Sequence, residues 1–141
     1  MKKQAQIKLY MDIAYRVAQE SYCGRGQVGA CIVTPRNGIY IGYNGMPSRF
    51  PNVCEIDWPD DEPTTDPLVI HAEQNCLLKM LREGVSPDGA IVYQTLSPCI
   101  ECTKWLYSAG IKTVVYGEKY RSIDHLTEFR SYGMKFIEYE A

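Results

Sequence analysis

Two short motifs constrain this chain more than anything else in it. His71-x-Glu73 opens one stretch with helical periodicity, and Pro98-Cys99-x-x-Cys102 opens another. Residues at i and i+3 share a helix face, so both sulfurs point to one side of a first turn. The positive end of a helix favours thiolate over thiol. His71 can reach the cysteines only if the fold brings two helix N-termini to one spot. Parallel strand–helix–strand wiring does that, because neighbouring helices then start at the same edge of the sheet.

The periodicity along the chain agrees with such wiring. Ile7, Tyr10, Met11, Ala14, Val17 and Ala18 form an apolar stripe that predicts a helix over residues 3–20. Val28–Thr34 and Ile39–Tyr43 read as strands, and Asn37-Gly38 between them predicts an antiparallel hairpin. Residues 44–67 carry five prolines and an acidic WPDDE run, and are expected to be an irregular flap. Beyond it come a helix from His71 to Glu83 stopped by Gly84, a strand over Gly89–Thr95, and a helix from Cys99 to Ala109. A strand over Ile111–Gly117, a short helix over Ser122–Tyr132 and a last strand over Met134–Tyr139 complete the order. The expected fold is α/β: one domain over residues 1–141, with a mixed five-stranded sheet flanked by helices in three layers.

Composition narrows the function. The net charge is −2 and no basic patch is visible, which favours small substrates over long nucleic acid. No apolar run is long enough to cross a bilayer, and the N-terminal segment is amphipathic with Asp12, Gln19 and Glu20 inside it, unlike a signal peptide. A cytoplasmic protein is expected. In reducing cytosol the six cysteines point to metal or catalytic roles before disulfides.

Taken alone, Cys99 and Cys102 fit a redox pair, a disulfide, half of a metal site or two buried thiols. With His71 they supply three ligands and leave one tetrahedral position open, as a catalytic zinc requires. Glu73 faces a different way round the helix from His71, which suits a proton carrier better than a fourth ligand. Were Cys31, Cys76 or His125 to join the three, the zinc would be structural, and the chain a zinc-stabilised binding module. His-x-Glu followed by Pro-Cys-x-x-Cys is the signature of zinc nucleobase deaminases.

The stretches HAEQN (His71–Asn75), SPCIEC (Ser97–Cys102), QVGACIV (Gln27–Val33) and GYNGMP (Gly42–Pro47) resemble the deoxycytidylate deaminases, over nearly the whole chain. The first two are shared across the cytidine deaminase-like superfamily, and the last two narrow it to the deoxycytidylate branch. The resemblance implies hydrolytic deamination of dCMP to dUMP with release of ammonia, supplying dUMP for thymidylate synthesis. It implies zinc held by His71, Cys99 and Cys102, with Glu73 passing protons to N3 and to the departing amine. Asn44 would bind the sugar 3′-hydroxyl and the main chain at Ala72 would read the base. Arg25, Tyr120 and Arg121 are the candidates for the 5′-phosphate. Gly42, Tyr43, Asn44 and Gly45 would form the effector region. The resemblance further implies a homohexamer activated by dCTP and inhibited by dTTP, with Mg²⁺ accompanying the effector. Activity on dCTP, on free deoxycytidine or on an adenosine in RNA keeps the same chemistry, and the acidic balance speaks against RNA. Some relatives carry a second, structural zinc near the flap. Here Cys23 and Cys54 could serve it, but the flap has no histidine, so that site is expected to be absent or incomplete and the two cysteines to be free thiols.

Overall fold

The computed structural model describes residues 2–120 and 123–140. Its elements in chain order are α1 (Lys2–Ala18), β1 (Gly29–Val33), β2 (Ile39–Tyr43), β3 (Glu55–Trp58), β4 (Asp61–Thr65), α2 (Ala72–Glu83), β5 (Ile91–Leu96), α3 (Ile100–Ser108), β6 (Thr113–Glu118), α4 (Asp124–Ser131) and β7 (Lys135–Glu138). Five strands form one sheet in the order β2-β1-β5-β6-β7. β1 is antiparallel to both β2 and β5, while β5–β6 and β6–β7 are parallel pairs. The mixed sheet follows from connection lengths. The short turn between β1 and β2 can only reverse the chain, whereas a helix returns it to run alongside.

Each face of the sheet carries its own core. On one, Tyr10 and Met11 of α1 pack on Cys31, Val33, Tyr93 and Val115. On the other, Ala72, Cys76 and Met80 of α2, Leu106 of α3 and Leu126 of α4 cover Ala30, Ile32, Val92, Val114 and Tyr116. β1 is buried along its whole length because both layers rest on it. That two-sided burial is why GACIV lacks the alternation of a half-exposed strand.

The hairpin between β1 and β2 forms in the expected place with different turn chemistry. Asn37 donates its N–H to Thr34 O at 2.9 Å and takes the left-handed conformation at φ 67°. Gly38 has no positive φ, and its N–H is held by Thr34 Oγ1 at 2.9 Å. The stop of α2 is as expected: Gly84 sits at φ 70° with its N–H directed at the carbonyls of Met80 and Leu81.

The segment read as an irregular flap is the main correction. It holds a second, two-stranded sheet, β3 paired antiparallel with β4, bulged between Ile56 and Trp58. Every residue of β4 is exposed, so no apolar alternation marks it, and Pro63 argued against a strand. Beyond the hairpin, Ile70 and Gly45 exchange two backbone hydrogen bonds that return the chain to the start of α2.

Candidate active site

His71 is the N-cap of α2 and Cys99 the N-cap of α3, so the two helices do begin at one place. The imidazole Nδ1 lies 3.1 Å from Cys102 Sγ and 3.6 Å from Cys99 Sγ. A tetrahedral zinc with Zn–S near 2.3 Å and Zn–N near 2.0 Å places nitrogen and sulfur about 3.5 Å apart, so the donors already stand at ligand spacing. The backbone holds them there. Gln74 Oε1 accepts from His71 N at 2.9 Å, Cys102 N donates to Cys99 Sγ at 3.4 Å, and Thr103 Oγ1 donates to Cys99 O at 2.7 Å.

Among the described residues these three donors form a group that no fourth histidine, cysteine or carboxylate joins. His125 is occupied elsewhere, its Nε2 2.9 Å from Pro98 O. Cys31 and Cys76 lie inside the two cores, and Cys76 Sγ is 3.5 Å from Ala30 O. Burial pushes the Cys31 thiol up to about 12 and raises Cys76 as well, so neither is disposed to ionise. The donor set fits a zinc ion with one position left open for water.

The protein groups alone favour one thiolate at this spot. The Cys99 thiol is pulled down to about 4, first by the hydrogen bond from Cys102 and then by His71. Cys102 is pushed up by the same bond seen from its own side, and by burial. The bond to Cys99 also raises His71.

Glu73 lies one residue into α2 beyond Ala72 and is 4% exposed. Burial holds its carboxyl above the usual range. Gln94 of β5, 1% exposed, donates Nε2 to Glu73 Oε2 at 2.6 Å.

A cavity of about 460 Å³ opens over this centre, within the range of small-molecule sites. His71, Ala72, Glu73 and Cys99 line it, together with Arg25, Asn44 and Tyr120. Seven of the eight residues singled out for metal, catalysis or substrate in the described part thus border one space. The eighth, Cys102, is buried behind them. Arg121 lies outside the described residues.

Asn44 is bound to the loop before β1: its Oδ1 accepts from Val28 N and its Nδ2 donates to Gly26 O, both at 2.9 Å. That leaves one amide hydrogen and one lone pair for a ligand. The rest of the GYNG turn is tied down too. Tyr43 O accepts from Asn75 Nδ2 at 2.8 Å, and Gly45 pairs with Ile70.

Thr65 and Lys119 also line the cavity and were missed in the sequence. Lys119 directly precedes Tyr120 and was within reach of sequence reasoning. Thr65 was not, because β4 itself was not recognised. Arg25 Nη1 donates to Thr65 Oγ1 at 3.3 Å, and Glu55 Oε2 accepts from the backbone N–H groups of Gly24 and Arg25 at 3.1 and 3.3 Å.

The expectation that Cys23 and Cys54 are free thiols is corrected. Their sulfurs are bonded, closing a loop with sequence separation 31. A compartment argument from composition could not register that the β3–β4 hairpin folds back onto the loop before β1. Glu55 stands beside the pair, so the three residues also have the spacing of a metal-binding group.

Residues 4–118 match the family described as cytidine and deoxycytidylate deaminase zinc-binding region. The chain is 38% identical to the human deoxycytidylate deaminase over 130 residues, 86% of this chain and 70% of the human one. It is 35% identical to the deoxycytidylate deaminase of Enterobacteria phage T4 over 147 residues, covering 78% of this chain and 76% of the phage protein. The dCMP deaminase of cyanophage S-TIM5, solved in complex with dCMP and dUMP, superposes with a TM-score of 0.86 at 37% identity, over 99% of both chains. A tRNA:A34 deaminase at 18% identity, TM-score 0.63, over 95% of this chain and 99% of that one, shares the fold. Sequence, architecture and metal ligands agree, and the chain belongs to the zinc-binding cytidine and deoxycytidylate deaminase family.

Proposed function

We propose that the chain deaminates dCMP, taking up water and releasing dUMP and ammonia. The observation that carries this reading is the position of Glu73. A buried carboxylate stands beside three zinc donors with an open fourth position, and it lines the same cavity as Arg25 and Lys119. A structural zinc has no use for such a group. Bound zinc supplies the acidity that makes water nucleophilic near neutral pH. Glu73, raised by burial, is suited to carry the two protons of the attacking water in turn, one to the ring N3 and the second to the departing amine. Arg25 and Lys119 are the cations for the 5′-phosphate, with Tyr120 beside them. Asn44 and the Ala72 backbone orient sugar and base.

The finer parts of the proposal rest on the surroundings. Asn44 couples the GYNG turn to the loop that carries Arg25; activation by dCTP and inhibition by dTTP, with Mg²⁺ accompanying the triphosphate, rest on the resemblance of that turn to the effector region of the deoxycytidylate deaminases. Leu81 and Trp105, 74% and 43% exposed on α2 and α3, support assembly through this face, as a homohexamer. We read the protein as a single-domain cytoplasmic enzyme, where its nucleotide substrates are, acting on neither nucleic acid nor membrane. Among the described residues no helix is long and apolar enough to cross a membrane.

The test is ultraviolet deamination kinetics on dCMP, dCTP, CMP and deoxycytidine, each with and without dCTP or dTTP as effector. dCMP is expected to be turned over best, with a response to the effectors. No turnover of dCMP would refute the function, and better turnover of dCTP would make the chain a triphosphate deaminase. Hyperbolic kinetics unchanged by either triphosphate would refute the regulation alone.

A further inference from the structure

Gln94 is an amide in the largely apolar strand IVYQTL, beside Thr95, and is almost completely buried. Burying an amide is costly unless its hydrogen bonds are made. Nε2 makes two, to Glu73 Oε2 and to Leu96 O, both at 2.6 Å. Oε1 is buried without a partner among the described residues. The orientation of the amide is fixed by its neighbours. Turned over, Oε1 would face a carboxylate and a carbonyl oxygen, and two acceptors would be left opposing a third. The arrangement therefore spends both hydrogens and leaves the carbonyl unsatisfied. A side chain needed only to fill the core would be better replaced by an apolar one.

Glu73 borders the cavity and Gln94 does not. The amide thus grips the carboxylate from behind the site. With Oε2 held, the side chain cannot rotate freely about its last bond, and Oε1 is the second oxygen of a carboxylate that borders the cavity.

We propose that Gln94 is a positioning residue for Glu73, fixing the carboxylate by its Oε2 so that Oε1 is presented to the reacting atoms. This rests on the reading of Glu73 as the proton carrier. Gln94 touches neither substrate nor metal ligand, so its loss acts on the chemical step and not on binding. Small misplacements of a reacting group cost up to about a hundred-fold in rate.

The test replaces Gln94 by Met, similar in length and without donors, and by Val, which suits a buried strand. Steady-state kinetics on dCMP, zinc per chain and thermal stability are measured beside wild type and Glu73→Ala. Expected for whichever variant folds is a kcat lower by about ten- to a hundred-fold, with KM within about three-fold and one zinc retained. A kcat near that of wild type overturns the inference, as does a loss explained by raised KM or by lost zinc. Failure of both variants to fold also overturns it, since Gln94 would then be a structural residue. The functional reading fails separately, on wild type without dCMP turnover or on Glu73→Ala that keeps it.

Discussion

Arg25 and Thr65 are hydrogen bonded, Nη1 to Oγ1 at 3.3 Å, across forty positions of sequence. The bond links the loop before β1 to the last residue of β4. It makes the wall of the cavity at the proposed phosphate end a joint product of both segments.

Arg25→Ala removes a cation from that wall. A charge-assisted hydrogen bond to an exposed phosphate is worth about 1–2 kcal/mol, so KM for dCMP rises by about five- to thirty-fold while kcat stays within about three-fold. Thr65→Val removes only the support and raises KM by about two- to four-fold. The kcat–KM split in steady-state assays checks both. A fall in kcat alone would remove Arg25 from substrate binding.

The disulfide between Cys23 and Cys54 holds the same two segments together. Peptide mapping without reductant is expected to recover residues 23 and 54 in one cross-linked fragment. Closing a loop of this length is worth about 2–4 kcal/mol, so Cys54→Ser lowers stability by that order and raises KM for dCMP. Two reduced thiols binding a metal ion with Glu55, found as a second zinc per chain, would replace the disulfide reading.

Glu73 gives a prediction with a sign in pH. Burial raises its folded pKa above the unfolded value, so between the two the folded chain binds more protons than the unfolded one. Stability from this group is present below the unfolded pKa and falls as pH rises through the folded pKa. Glu73→Gln removes the penalty and can still accept from Gln94. In chelator, where no divalent charge offsets the carboxylate, the variant melts at a higher temperature than wild type, and the gap widens as pH is raised. Deamination by the zinc-loaded variant drops by at least about a hundred-fold. Equal melting temperatures at all pH values would show that Glu73 carries no burial penalty.

Leu81→Glu places a charge on the most exposed of the large apolar side chains on α2. Light scattering after size exclusion is expected to show a hexamer for wild type and a smaller species for the variant. A monomeric wild type would rule out the assembly.

The architecture was legible where burial imposes a period. α1 and α2 show apolar stripes because one face of each meets the sheet, and the parallel strands are short apolar runs between turn residues. The zinc donors were legible because their spacing and residue types are dictated by the ion. The β3–β4 hairpin was not, since strands that stand off the core need no apolar side and leave no pattern. Its loss hid Thr65, Glu55 and the pairing of Cys54 at once. Gln94 left a signal, an amide inside a largely apolar strand, but only its distance to Glu73 gives that signal a meaning.

Gly42 was singled out for the turn it begins, yet its place is beneath α2. A Cβ on it would stand 2.7 Å from Ala72 O and 2.9 Å from Cys76 N, both backbone atoms that cannot swing aside. Residue 42 therefore works as a shim of minimum thickness between strand and helix. His71 rides at the start of that helix while Cys99 and Cys102 ride on another, so one added methyl would lift the nitrogen away from the two sulfurs. The gauge of the metal centre is set in part by a residue that never touches it.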